Sequence, residues 1–147
     1  MHPTPAKIED TSSIVQFIQR YFPYTTIDEQ EVKHRIQSNG FIFNKIMQNK
    51  KIIGYAEWEM VEEKKETIRL NGIAVLPEYQ QKGNGTMLLQ EGEKEAKKRG
   101  IKKIQLYVGE TNMPAKQAYA KNGYAYTRPH LRKINGEKAE VWEKKIV

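Results

Sequence analysis

The residues with the clearest capacity for chemistry lie in one polar segment, residues 80–86, which reads Gln-Gln-Lys-Gly-Asn-Gly-Thr. Its two glycines, Gly83 and Gly85, let the backbone turn tightly and leave no Cβ to block a ligand. A helix is predicted to follow, so its first N–H groups and the positive end of its dipole point into the segment. Lys82 and Thr86 add a positive charge and a hydroxyl. Together these features predict a pyrophosphate-binding loop.

Other phosphate-binding patterns do not fit this segment. The dinucleotide fingerprint G-x-G-x-x-G requires a third glycine, and Leu88 occupies that position. The P-loop pattern G-x-x-x-x-G-K-[ST] is absent as well. A glycine turn with a purely structural role at a strand–helix junction stays open at this point.

Four helices that could position the loop are predicted from apolar residues at helical spacing. The first helix begins within residues 10–13 and ends at Pro23, and the second covers residues 28–38. The third runs for about sixteen residues to Arg99, and the fourth covers residues 112–122. Gly100 is a suitable residue just beyond the third helix. Gly92 inside that helix costs about 1 kcal/mol relative to Ala, which does not overturn the prediction.

Six strands are predicted from alternating or continuous apolar residues. They cover residues 41–47, 51–60, 67–75, 103–108, 123–126 and 139–146. The third of them becomes more apolar toward its C-terminal end, as is typical of a strand in the centre of a sheet. The order of elements predicts a mixed α/β sandwich with a largely antiparallel first half.

Two stretches of the sequence resemble motifs of the GNAT acetyltransferase superfamily. Residues 73–85, Ile-Ala-Val-Leu-Pro-Glu-Tyr-Gln-Gln-Lys-Gly-Asn-Gly, resemble its motif A, whose core is [QR]-x-x-G-x-[GA]. Residues 112–124 resemble its motif B, and one helix and one strand separate the two motifs, as in that family. The resemblance implies an α/β fold with a mixed, mostly antiparallel sheet of six to seven strands flanked by about four helices. It also implies that residues 1–147 form a single N-acetyltransferase domain.

The resemblance further implies that acetyl-CoA is the co-substrate and that no metal takes part. The backbone of Ile73, Ala74 and Val75 would hold the pantetheine arm, and the Ile73 N–H would polarise the thioester carbonyl. Asn112 would form hydrogen bonds near the pantetheine or where the strands separate. Tyr119 would protonate the departing CoA thiolate. The pyrophosphate would bind backbone N–H groups of Gln81, Lys82, Gly83, Asn84, Gly85 and Thr86.

An amine that attacks a thioester needs a neutral nitrogen, donors for the developing oxyanion and a proton for the thiolate. A tyrosine with a pKa of about 10 can supply that proton, although Tyr119 could also serve only as a packing aromatic. The base is not assigned, because Arg69 and Tyr107 occupy the positions where protein-acetylating relatives carry Glu. Proton loss to water, or an amine with a lowered pKa, is equally open. Residues 134–144 resemble the ending of the branch that acetylates ribosomal-protein N-termini, but Tyr107 departs from that branch.

Four carboxylates suggest where a cationic acceptor could enter. Glu57 and Glu59 alternate to one face of a predicted strand, and Glu29 and Glu31 lie near the loop that shapes the acceptor pocket in the resembling family. We hypothesise that they form an acidic funnel for a primary amine, either a protein N-terminus or lysine or a small molecule. The alternative is that each is a solvated partner of nearby lysines.

Composition limits the other functions. The chain of 147 residues carries 25 Lys and Arg against 18 Asp and Glu, a net charge of +7 that favours anionic partners such as acyl-CoA. It contains no Cys, which excludes disulfides, a thiolate nucleophile and a Cys zinc site. No nucleic-acid-binding module is recognised, and neither a secretory signal nor a membrane span is visible.

We therefore expect a cytoplasmic monomer or homodimer that binds neither membrane nor nucleic acid. The alternative function is a non-catalytic acyl-CoA-binding or regulatory domain. The presence of Tyr119 favours catalysis over that alternative.

Overall fold

Seven strands and four α-helices follow one another along the chain, which the computed structural model describes over residues 1–147. The helices are α1 (Thr11–Tyr21), α2 (Glu29–Gln37), α3 (Asn84–Lys98) and α4 (Met113–Lys121). The strands are β1 (Thr4–Pro5), β2 (Phe41–Gln48), β3 (Lys51–Met60), β4 (Thr67–Val75), β5 (Lys103–Gly109), β6 (Ala125–Pro129) and β7 (Ala139–Lys145). None of the helices combines the length and the apolar character needed to cross a membrane.

All seven strands join one sheet in the order β1-β2-β3-β4-β5-β7-β6. Every neighbouring pair is antiparallel except β4 and β5, which are parallel. The predicted fold class, a mostly antiparallel sheet of six to seven strands with about four helices, is confirmed. The two-residue β1 was not predicted, since it is too short to show a period.

Turn chemistry explains where several elements begin and end. Asn49 and Lys50 have φ of 52° and 63°, the left-handed pair that a two-residue hairpin turn requires. The strand predicted at 123–126 instead begins at Ala125. The reason is that Gly123 adopts a φ of 93° and the Tyr124 N–H returns to the Tyr119 carbonyl at 3.0 Å, which closes α4.

The two faces of the sheet are covered by different helices. Tyr55 on β3 packs against Phe17 of α1, with 5.5 Å between ring centroids. Trp58 points to the opposite face, where a Cβ added to Gly92 of α3 would overlap its ring. Gly92 therefore lowers the helix propensity of α3 but permits close contact between that helix and the sheet.

Candidate active site

The loop between β4 and α3 presents an uninterrupted set of free backbone donors. Gln81 and Gly83 adopt positive φ, 60° and 87°, and turn the chain sharply before α3 begins. No backbone N–H from Gln81 to Thr86 donates a hydrogen bond within the protein. A Cβ added to Gly83 or Gly85 would meet no atom within 4 Å, so both glycines face open space. The loop has the form of an anion-binding nest at a helix N-terminus.

Two side chains hold this loop in shape from behind. Gln80 donates from Nε2 to the Val75 carbonyl at 2.8 Å, and Asn84 donates from Nδ2 to the Tyr79 carbonyl at 2.8 Å. Asn84 is 3% exposed, so its side chain serves the loop and only its backbone N–H faces outward. Lys82 is exposed, with Nζ 5.9 Å from the centroid of the Tyr79 ring.

Beside the loop, β4 and β5 separate, and the edge of β4 that faces β5 is unpaired over its last residues. Their parallel pairing ends at Leu70 and Leu106, whereas β4 continues to Val75. The Leu76 N–H donates to Ile53 of β3 at 2.9 Å. Backbone groups alternate sides along a strand, so Ile73 and Val75 direct theirs away from β3, toward the gap. Ala74 turns toward β3, and its predicted backbone contact with the pantetheine has no geometric support.

A cavity of about 520 Å³ opens at this gap and contains several of the predicted residues. Ile73, Asn112 and Tyr119 line it together with residues of the α1–α2 connection. The loop of residues 81–86 does not line it but follows the same strand. The predicted residues thus lie in two neighbouring places: a donor loop at the end of β4 and a cavity beside the same strand.

Tyr119 projects from α4 into this cavity with a hydroxyl that makes no hydrogen bond to the protein. Its ring packs edge-on against Tyr124 at 5.9 Å. Burial, with a smaller contribution from the neighbouring Tyr24, raises the pKa of Tyr119 to about 12. The hydroxyl therefore stays protonated near neutral pH and can donate a hydrogen bond.

Asn112 lies at the start of α4, where its Oδ1 accepts from the Ala115 N–H at 3.3 Å. Pro114 lies in the first turn of the helix, where its missing N–H costs nothing. The Asn112 side chain is thus an N-cap that positions α4, and with it Tyr119. The contact of Asn112 with pantetheine stays a prediction.

Opposite Tyr119, five side chains form a polar network that the sequence only partly indicated. Glu57 is 3% exposed, and its Oε2 accepts from Arg35 at 2.6 Å and from Asn71 at 2.9 Å. Asn71 also donates to Glu59 at 2.9 Å, and Arg69 donates to Glu59 at 3.3 Å and to Asn71 at 3.2 Å. Glu57 and Glu59 therefore share a face, as predicted, but each is paired with an arginine.

A β-bulge creates this network. Glu57 pairs with Gly72 and Trp58 pairs with Leu70, which leaves Asn71 without a partner on β3. The extra residue brings the Asn71 amide between the two carboxylates. The signal for it was the Asn71-Gly72 pair inside a predicted strand, since both residue types are poor strand formers.

The four predicted carboxylates do not act as one funnel. Glu31 pairs with Arg35 at 2.8 Å and reaches the network only through that arginine. Glu29 is exposed on α2 and lines a separate surface depression with Gln16 and Gln19, so the hypothesis of a funnel that includes Glu29 is wrong.

Tyr107, which lines the cavity, stacks on His130 outside the lining. The rings of Tyr107 and His130 lie 3.9 Å apart and nearly parallel, and Arg69 lies 5.5 Å from the centroid of the Tyr107 ring. Burial, followed by the charges of Arg132, Arg128 and Arg69, lowers the pKa of His130. The imidazole is therefore neutral at pH 7 and adds no charge. No three His, Asp or Glu side chains are grouped to bind a metal ion.

Comparison with known proteins identifies the family to which the chain belongs. A spermidine N(1)-acetyltransferase from Thermoplasma acidophilum is 37% identical over 91 residues. The match covers 61% of this chain and 55% of that relative, about half of its length.

Among solved structures, the ribosomal-protein-S18-alanine N-acetyltransferase from Escherichia coli superposes with a TM-score of 0.80 at 23% identity, covering 98% of this chain and 92% of that one. The PaiA N-acetyltransferase from Thermoplasma acidophilum, in complex with coenzyme A, gives 0.79 at 24% identity and covers 98% of both chains. At these identities the likeness shows a shared fold. The profile of the family described as Acetyltransferase (GNAT) matches residues 11–124, most of the chain. The chain belongs to the Acetyltransferase (GNAT) family.

Proposed function

We propose that residues 1–147 form one catalytic domain that transfers the acetyl group of acetyl-CoA to a primary amine. The observation that carries the proposal is the adjacency of three features: free loop donors, an unpaired strand edge and a cavity bearing an unpartnered tyrosine hydroxyl. They match three successive parts of acetyl-CoA: the pyrophosphate, the amide-bearing pantetheine arm and the thioester.

The proposed roles follow from the groups that are available. Backbone N–H groups from Gln81 to Thr86 bind the pyrophosphate, with the α3 dipole behind them. The open edge of β4 at Ile73 and Val75 binds the pantetheine arm as an additional strand would. The Ile73 N–H polarises the thioester carbonyl, since a donor fixed on a strand needs no reorganisation.

The proposed reaction converts R–NH₃⁺ and acetyl-CoA into the N-acetyl amide, CoA thiol and one free proton. The acceptor R–NH₃⁺ loses two protons, its nitrogen gains the acetyl group, and the bond from the carbonyl carbon to sulfur breaks. One proton ends on the CoA thiol and one goes to solvent.

Tyr119 donates a hydrogen bond to the thiolate as the bond to sulfur breaks. Complete proton transfer from a phenol of pKa about 12 to a thiolate whose acid has a pKa of about 8.5 is unfavourable by roughly 5 kcal/mol. We therefore propose that Tyr119 stabilises the leaving thiolate and that the proton it receives comes in the end from the amine.

The alternative, a domain that binds acyl-CoA without turnover, has less support. It does not account for an unpartnered tyrosine hydroxyl in a cavity next to the strand edge. The names of the relatives indicate two acceptor types, the polyamine spermidine and an alanine of a ribosomal protein. Both are primary amines, which is the level at which we propose the acceptor.

Two measurements test this function. Calorimetry with acetyl-CoA, CoA and NAD should give binding of the first two and much weaker binding of NAD. Thiol release from acetyl-CoA should increase on addition of amines or peptides with a free N-terminus. Absence of CoA binding would refute the proposal, and binding without thiol release for any amine would favour the non-catalytic alternative.

A further inference from the structure

The connection from the end of β6 to β7 carries an excess of positive charge next to the cavity. Residues 128–138 contain four Lys and Arg residues against one Glu. Resting on the proposed function, we infer that the acceptor is the N-terminal amine of an acidic peptide. Its amine enters the cavity while carboxylates of its next residues bind Arg132 and Lys133.

The tip of this connection forms part of the cavity wall. Ile134 and Glu137 exchange two backbone hydrogen bonds, of 2.9 Å and 3.0 Å, across a two-residue turn. Both residues line the cavity, as does Asn135 in the turn. Lys133 and Arg132 directly precede Ile134, and both are exposed. Because successive Cα atoms are about 3.8 Å apart, the Cα atoms of these two cations lie within about 8 Å of that of Ile134.

Arg132 and Lys133 are free to bind an anion. Neither lies within 4 Å of a carboxylate of the protein. The two oxygens of Glu137 accept hydrogen bonds of 3.0 Å and 2.9 Å from the turn that follows β5. Lys138 lies beside Glu110, whose N–H donates to its carbonyl at 2.8 Å, so we assign the binding of the peptide to the first two cations.

Arginines connect these two cations with the cavity. Tyr107 and Arg69 line the cavity, and His130 stacks on the Tyr107 ring at 3.9 Å. After burial, the charges of Arg132, Arg128 and Arg69 lower the pKa of His130, which locates all three guanidinium groups around one imidazole. The positive charge therefore extends from the cavity to the exposed part of the loop.

The reaction limits which anionic partner fits this surface. The partner has to bring an aliphatic primary amine into the cavity and negative charges to the neighbouring loop. Nucleic acids carry the charges, but the amino groups of their bases are conjugated with the rings and are poor nucleophiles. A peptide with Asp or Glu after its first residue carries both groups. Extended peptide residues repeat about every 3.3 Å, so two or three residues span the distance along the loop.

An N-terminal amine suits the site better than a lysine does. Its unperturbed pKa is about 7.7–8.0, against about 10.4 for lysine. At pH 7 roughly a tenth of N-terminal amines are therefore neutral, but fewer than about one lysine in a thousand. The attacking nitrogen has to be neutral, so the N-terminal amine needs less help from a base.

Three peptides with the same attacking amine test the inference. They begin with Ala-Glu-Glu, Ala-Gln-Gln or Ala-Arg-Arg and share one neutral, lysine-free tail. An exposed ion pair changes affinity by up to about fivefold, so kcat/KM should be about tenfold higher for the Glu peptide than for the Gln peptide, and lowest for the Arg peptide. The difference should lie in KM. It should shrink to less than about twofold at 1 M salt, where the screening length is about 3 Å.

The double variant Arg132→Glu/Lys133→Glu reverses the charge of the surface and should reverse the order, so that the Arg peptide is preferred over the Glu peptide. Both side chains are exposed, and we expect the variant to fold normally. Lys94→Glu/Lys98→Glu, two exposed lysines of α3, changes the net charge equally and should keep the order of the parent.

Equal kcat/KM for the three peptides in the parent, or an unchanged order in Arg132→Glu/Lys133→Glu, would overturn the inference. Binding of a labelled single-stranded RNA that this double variant abolishes, without any preference among the peptides, would overturn it as well and would assign the surface to nucleic acid. These outcomes leave acetyl transfer to amines intact. Absence of acetyl-CoA binding by the parent would instead refute the proposed function itself.

Discussion

The proposed cofactor side and the proposed acceptor side of the site expose different parts of the chain. On the cofactor side the exposed donors are backbone N–H groups, from Gln81 to Thr86, and side chains such as Asn84 only shape the loop. On the acceptor side the exposed groups are side chains held by one another, with Glu57 fixed by Arg35 and Asn71. We therefore expect the backbone site to lose affinity when a side chain is added to the loop. We expect the side-chain site to lose activity when a polar group is removed.

The largest effect is expected from Gly85→Glu. Gly85 faces open space, so the variant should fold normally, and Glu is favourable in the first turn of a helix. Its carboxylate would occupy the proposed pyrophosphate position, and the acetyl-CoA dissociation constant should rise at least about 100-fold. Calorimetry would measure this.

Gly85→Gln adds the same bulk without charge and separates the two causes. A weaker loss of affinity with Gln would identify charge repulsion, rather than bulk, as the main cause. Unchanged affinity in both variants would show that the phosphates bind elsewhere.

The second effect is that of Tyr119→Phe on turnover. The ring is kept and only the hydroxyl is lost, so kcat should fall about 100-fold while acetyl-CoA affinity barely changes. Steady-state kinetics and calorimetry separate the two quantities.

The pH dependence provides a check on this interpretation. Burial raises the pKa of Tyr119 to about 12, so the hydroxyl remains protonated as pH rises through the ordinary tyrosine value of about 10. The ratio of parent to variant kcat should therefore stay constant from about pH 7 to pH 10. A ratio that collapses near pH 9 would mean that the Tyr119 hydroxyl loses its proton there, so that burial does not raise its pKa.

The same contrast explains how far the sequence could predict this protein. The loop was visible because glycines that free the backbone are a local signal, and motif spacing with strand and helix periods gave the fold. The polar network of the cavity was not visible in the sequence, because Arg35, Asn71 and Glu57 meet only through a bulge and a contact between α2 and β3. Pairing across such sequence separations carries no local pattern. The sequence therefore could not distinguish the four carboxylates of the funnel hypothesis, of which only Glu57 and Glu59 line the cavity.

The third prediction contrasts two glycines of the same helix. Gly85 faces outward, whereas a Cβ at Gly92 would overlap the buried ring of Trp58. Gly92→Ala should gain about 1 kcal/mol in helix propensity but lose about 1–3 kcal/mol to overpacking. We expect Tm to fall by a few degrees in calorimetric unfolding, with acetyl-CoA affinity per folded molecule unchanged. An increase in Tm would show that α3 can move away from the sheet.

The smallest effect is expected from Lys82→Gln, and it tests directly whether side chains matter on the cofactor side. Lys82 is exposed, with Nζ 5.9 Å from the centroid of the Tyr79 ring, so its charge is screened by water. An exposed charge of this kind contributes about 0.2–1 kcal/mol, which corresponds to an increase of about two- to fivefold in the acetyl-CoA dissociation constant. Raising the salt from 0.1 M to 1 M shortens the screening length from about 10 Å to about 3 Å and should remove most of this difference. Lys94→Gln, an exposed lysine further along α3, lowers the net charge equally and should have less effect at either salt concentration. A loss with Lys82→Gln as large as that with Gly85→Glu would mean that a side chain binds the phosphates, and the contrast between the two sides of the site would not hold.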